Sequence, residues 1–138
     1  MNDELSDEII VLKICKGRLC LPSSYKVSNG EILFLTRNAL APSSLAIYTR
    51  KQWAPIRDFL LDKSFPKPRI PKPGKWQSTA RCVLGNAEEC IVEGGEIRIS
   101  SHLVKIADLH SEALWIQGSD RIEIWNPRAF DEWKQNQE

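Results

Sequence analysis

Apolar residues recur at period two through most of the chain, in short runs broken by turn-forming residues, which predicts a β-rich domain. Ile9 to Ile14 reads as a first strand. Lys16-Gly17 makes a turn, and Arg18-Leu19-Cys20-Leu21 alternates as a second strand that Pro22 stops. Glu31 to Leu35 is a third strand. Leu45-Ala46-Ile47-Tyr48 is a fourth, followed by Thr49 as an N-cap and a short amphipathic helix with Trp53 facing inward.

The same grammar returns later in the chain. Leu45 to Ile56 matches Ile122 to Trp133 at a constant offset of 77 residues: alternating strand, aromatic, cap, helix. There Asn126 is the cap, Pro127 occupies the first helical turn and Phe130 stands where Trp53 stood. Upstream, Glu89 to Val92 leads into the turn Glu93-Gly94-Gly95-Glu96. Ile97-Arg98-Ile99 then alternates, Ser100-Ser101 caps a helical turn through Ala107, and Ala113 to Ile116 is the third strand. Ser119-Asp120 reads as a hairpin turn into Arg121 to Trp125. Each half is therefore strand, turn, strand, short helix, strand, loop, strand, helix. The expected organisation is an acidic extension (1–8), a first half (9–62), a proline-rich extended linker (63–75) and a second half (76–138) that opens on a helix from Trp76 to Leu84. A half of about sixty residues is marginal alone. Two halves sharing one barrel bury their aliphatic and aromatic faces together, and the five aromatics Trp53, Trp115, Trp125, Phe130 and Trp133 read as core rather than as ligand contacts.

Composition narrows the function classes. A hydrophobic fraction of 42% supports a real core, and no apolar run reaches the length of a membrane span. The acidic start lacks the layout of a secretory signal, which places the protein in the cytoplasm. Cys15, Cys20, Cys82 and Cys90 have spacings unlike zinc knuckles, so they read as free thiols, with Cys82 and Cys90 near the core and no metal or cofactor expected. A cysteine-dependent enzyme using Cys15 or Cys20 with His102 or His110 has thin support, because neither thiol sits at an evident helix N-terminus. The chain reads as no enzyme and expects no small-molecule substrate. Net charge is only +1, yet residues 26–81 carry eleven Lys/Arg against three Asp/Glu, and residues 82–138 carry five against eleven. That polarity fits a face presented to a polyanion or head-to-tail self-association, and equally fits separate solvated surfaces.

The segment Lys13-Ile14-Cys15-Lys16-Gly17-Arg18-Leu19-Cys20-Leu21-Pro22 resembles the "K-G-R-l-x-l-P" signature of the MraZ family, relatives of the AbrB-type swapped-hairpin transcription factors. Leu84-Gly85-Asn86-Ala87-Glu88-Glu89-Cys90 resembles its "L-G-x-A-x-E-C" segment. Leu45 to Tyr48 with Trp53, and Ile122 to Trp125 with Trp133, resemble its two strand-helix steps. The resemblance runs colinearly over residues 9–133. It implies an α+β, β-rich fold: a pseudo-twofold double-split β-barrel from two repeated β-β-α-β-β-α halves. It also implies a ring-like homo-oligomer, nucleoid-associated in the cytoplasm, that binds double-stranded DNA at promoter direct repeats of cell-division and cell-wall genes.

The family's DNA surface is a pair of basic turns, each with a D-x-x-x-R pattern. Here Arg18 fills the arginine position but Ile14 replaces the aspartate. In the second turn Glu93 and Glu96 stand at the aspartate and arginine positions, with one residue fewer between them. The candidate DNA-binding residues are Lys13, Lys16, Gly17 and Arg18, with Gly94, Gly95 and Arg98 as weaker second-turn candidates. Gly17 is expected to adopt positive φ and to allow close backbone approach. Two acids in the second turn would repel phosphate, so an oligomeric scaffold of this fold without specific DNA binding is the alternative. Arg50, Lys51 and Arg57 on the first long helix read as a solvated face rather than a groove reader.

Overall fold

A computed structural model describes residues 8–39, 41, 43–64, 83–118 and 121–136. Its elements run β1 (Glu8–Cys15), β2 (Arg18–Cys20), β3 (Ile32–Arg37), β4 (Leu45–Thr49), α1 (Arg50–Ser64), β5 (Glu88–Ile91), β6 (Glu96–Arg98), α2 (Ser101–Ala107), β7 (Glu112–Gln117), β8 (Ile122–Trp125) and α3 (Pro127–Asn136). The strands form one antiparallel sheet in the order β5-β3-β4-β8-β7-β1-β2-β6. The order interleaves the two repeats: β1 pairs with β7, and its counterpart β5 pairs with β3. Neither repeat holds a complete sheet of its own.

Two ladders lie on the pseudo-twofold axis. In the β4–β8 ladder Leu45 faces Ile124 and Ile47 faces Ile122. The 77-residue offset maps Leu45 onto Ile122 and Ile47 onto Ile124, so the axis passes between Ala46 and Glu123. In the β2–β6 ladder Leu19 faces Ile97. Two further backbone bonds extend it symmetrically: Ile99 N–H donates to the Gly17 carbonyl (2.7 Å) and Leu21 N–H to the Gly95 carbonyl (2.9 Å). The sheet curls until its first and last strands meet. Glu93 and Glu96 exchange backbone bonds of 2.9 and 3.1 Å, and the Cys90 thiol donates to the Arg98 carbonyl at 3.3 Å.

The alternation read from the sequence sorts side chains by layer. Leu12, Ile14, Leu19, Leu33, Leu35, Leu45, Ile47, Ile97, Trp115, Ile122 and Ile124 fill the barrel. Outside it, Ala46, Tyr48, Trp53 and Leu60 join α1 to the sheet, and Trp125 and Ile116 join α3 with help from Phe130. Strand β4 is thus buried on both faces, one against the barrel interior and one under a helix. Trp133 departs from the expected core set: it is 38% exposed and packs on Trp125 and Phe130 from the outer side of α3.

The three helix starts behave as their sequences require. Thr49 and Gln52 form a reciprocal capping box, with bonds of 2.9 and 3.2 Å. Asn126 Oδ1 accepts from the amides of Arg128 (2.8 Å) and Ala129 (3.1 Å). Ser100 caps α2 by accepting from Leu103 N–H. The short helix expected in the first repeat does not form. Residues 21–31 make tight turns instead, with Tyr25 N–H donating to the Pro22 carbonyl and Glu31 N–H to that of Ser28. The reason is local: α2 carries the apolar stripe Leu103, Val104, Ala107, whereas after Leu21 and the strand-ending Pro22 this stretch offers only Tyr25 and Val27, two apart, followed by Ser28-Asn29-Gly30. Helix α1 extends to Ser64, two residues past the expected end of the first half. Most of that linker (65–75), the turn Ser119-Asp120, Cys82 and residues 1–7 lie outside the described residues, as does the expected 76–84 helix apart from the helical pair Val83-Leu84.

The two β-hairpin turns of the repeats share one backbone form. Lys16 and Gly17 have φ of 54° and 80°, Gly94 and Gly95 of 60° and 77°. Paired positive φ values are what a two-residue type I′ turn needs. Gly17 is doubly constrained, because a Cβ there would stand 3.2 Å from the Ile99 carbonyl oxygen. A Cβ on Gly94 would meet nothing within 4 Å. In urea melts, Gly17→Ala is therefore expected to destabilise by about 2 kcal/mol and Gly94→Ala by about 1 kcal/mol; equal losses would contradict the close approach. Burial, with Glu88 adding to it, pushes the Cys90 thiol up to about 11 from its usual 9. The unfolded chain ionises first, so this contribution to stability is complete below about pH 9 and falls away as pH rises toward 11. Cys90→Ala is expected to flatten stability against pH in that window; an unchanged slope would show that Cys90 does not drive it.

Candidate nucleic-acid interface

Strands β1, β2 and β6 turn one row of side chains into the barrel and the other outward. Ile14, Leu19 and Ile97 point in. The registers Cys15↔Arg18, Arg18↔Arg98 and Cys20↔Glu96 then put Cys15, Arg18, Arg98, Cys20 and Glu96 on one outer face. Lys13 lies on the same face of β1, two residues before Cys15 and directly opposite Glu112 of β7. Pleating alone accounts for this grouping, since residues directly opposite share a face and successive residues alternate.

The sequence candidates fall at two ends of this face. Lys16 sits at the tip of the first turn, exposed, beside Arg18. Gly94 and Gly95 form the second turn, where Gly94 N–H donates to Asn29 Oδ1 at 2.9 Å. Because β2 and β6 are antiparallel, the turns lie at opposite ends of the ladder, separated by four residue steps from Gly17 to Leu21, roughly 14 Å. Lys13, Lys16, Arg18 and Arg98 are thereby gathered toward the first turn, and Glu93 and Glu96 toward the second. Arg98 projects outward between the buried Ile97 and Ile99, as its strand parity requires. The backbone approach made by Gly17 is intramolecular, to Ile99.

The electrostatics centre on Arg18. Its Nη1 lies 3.8 Å from Glu96 Oε1, and the two side chains are 44% and 36% exposed. Such a long, wet pair is worth at most about 1 kcal/mol and leaves the guanidinium at the outer surface. The second Glu96 oxygen accepts from the Cys20 thiol at 3.5 Å. Burial, then that hydrogen bond, then the carboxylate charge raise the Cys20 thiol above its usual value, which disfavours a reactive thiolate. The histidines are engaged elsewhere: His102 Nε2 is 2.7 Å from Asn86 Oδ1, and His110 Nε2 is 2.8 Å from Asp108 Oδ1.

The partnership of Arg18 with Glu96 is absent from the sequence-level site. No sequence signal marked it: the two lie 78 positions apart and come close only because the β2–β6 register places each one step from the Leu19–Ile97 centre of the ladder. Ile14, at the position where the resemblance expects an aspartate, is buried in the barrel, and the carboxylate that meets Arg18 comes from the other repeat.

No family model matches the chain. Individual proteins do. It is 29% identical over 122 residues to "Transcriptional regulator MraZ" of Caldanaerobacter subterraneus subsp. tengcongensis, covering 88% of this chain and 80% of that protein. A protein of the same name from Thermoanaerobacter sp. is 27% identical over 122 residues, with the same coverage. Another from Desulforamulus reducens is 28% identical over 117 residues, covering 84% of this chain and 77% of the relative. Over most of its length the chain is therefore similar to proteins named transcriptional regulator MraZ, and its eight-stranded, two-repeat barrel agrees with the fold expected from that resemblance.

Proposed function

We propose that this protein is a DNA-binding transcriptional regulator. On this reading it acts as a ring-like homo-oligomer on promoter direct repeats of cell-division and cell-wall genes, in the cytoplasm and at the nucleoid. The observation that carries the proposal is the outward cation group Lys13, Lys16, Arg18 and Arg98 on a rigid β-ladder, in a chain whose relatives are named transcriptional regulators. A two-stranded ribbon is narrow enough for the major groove, and arginine is the side chain best suited to phosphate oxygens and guanine edges. Repeated sites engaged by several subunits raise affinity without new contacts. Among the described residues no helix is long and apolar enough to cross a membrane.

One observation favours a second reading, a scaffold of this fold that has lost specific DNA binding. Glu96 meets Arg18, and Glu93 adds a second negative charge at the same turn. Fluorescence anisotropy with duplex from the chain's own upstream region separates the two readings. Arg18→Ala is expected to lose about 1–3 kcal/mol of binding and to flatten the dependence of log K on log salt by about 0.9 for each phosphate contact removed. Unchanged affinity together with an unchanged salt slope would favour the scaffold.

A further inference from the structure

We infer that Glu96 is a resident counter-ion for Arg18, beside Arg98, that nucleic-acid phosphate displaces, so that it sets how strongly this face holds DNA of any sequence. The inference rests on the DNA-binding reading above. Arg18 and Arg98 are directly opposite each other in the β2–β6 ladder. Like charges in that relation repel, at a separation between Cα atoms of roughly 5 Å. A face built this way is incomplete without an anion. Glu96 supplies one from within the chain: it lies two residues before Arg98 on β6, opposite Cys20, with one oxygen toward Arg18 and the other holding the Cys20 S–H.

The pair's geometry fits exchange rather than locking. A buried, bidentate pair would resist a competing phosphate. This contact is long, single and well exposed on both sides. An incoming phosphate therefore meets two arginines whose mutual repulsion it relieves, and a carboxylate it must push aside. Binding gains one arginine contact and loses one internal ion pair. The internal carboxylate lowers affinity for the DNA backbone without removing any donor from the face.

The test is a double-mutant cycle read by anisotropy on a random-sequence duplex across a salt series. Wild type, Glu96→Gln, Arg18→Ala and the double variant are compared, and thermal melts confirm that each is folded. Glu96→Gln is expected to bind roughly two- to five-fold more tightly than wild type at low salt. Its salt slope is expected to steepen by about 0.9. In the Arg18→Ala background the same change is expected to bring little or no gain. Glu96→Asp, which keeps the charge, is expected to stay close to wild type. Unchanged or weaker binding by Glu96→Gln would overturn the inference, as would an equal gain in both backgrounds, which would make Glu96 a general surface charge. If none of the proteins binds any duplex at low salt, the DNA-binding reading itself fails, and it fails first.

Discussion

The β2–β6 ladder is the constraint on which the molecule depends. It joins strands from the two repeats across the pseudo-twofold axis, with Leu19 against Ile97 at its centre and matching bonds from Gly17 and Gly95 at its ends. On its inner side it seals the barrel with two fully buried side chains. On its outer side the same pleat fixes where Arg18, Arg98 and Glu96 stand. Core packing and surface chemistry are thus two faces of one set of hydrogen bonds. A register slip of one residue would send the arginines inward and the leucine and isoleucine out, so the core enforces the geometry of the charged face.

Strand exchange explains why the repeats need each other. The strand that opens each repeat finds its partner in the other: β1 on β7, β5 on β3. Sealing β4 against β8 then buries two apolar strands on both faces at once, with Trp53 and Trp125 as the outer wedges under α1 and α3. The cost of ordering a chain this short is offset by a core that neither repeat has enough surface to build alone.

Much of this was legible in the sequence because it obeys local rules. Period-two alternation located the strands, Thr49, Asn126 and Ser100 marked the helix starts, and the constant offset between Leu45 and Ile122 announced the repeat. What failed was also local in cause: Pro22 to Gly30 lacks an apolar stripe at helical spacing, and a repeat argument projected a helix onto it. Part of the candidate site was legible too, since strand parity alone puts Arg18 and Arg98 outward. The pairing of Arg18 with Glu96 was not, because residues 78 positions apart meet only through the register of β2 on β6. Charge counts could not reveal it either. The motif positions assign both acids to a repulsive second turn, where they do lie, and only the ladder shows that the Glu96 side chain reaches Arg18 from that end.

The central claim is that the outer face of β1, β2 and β6 is the surface that meets DNA. Hydrogen exchange of the full-length protein, with and without its upstream duplex, tests that claim without altering a residue. Slowed exchange concentrated in residues 13–21 and 94–99, with α1 and α3 unchanged, is the expected result. Protection centred on α1 or α3, with the β2–β6 ladder unaffected by DNA, would contradict it.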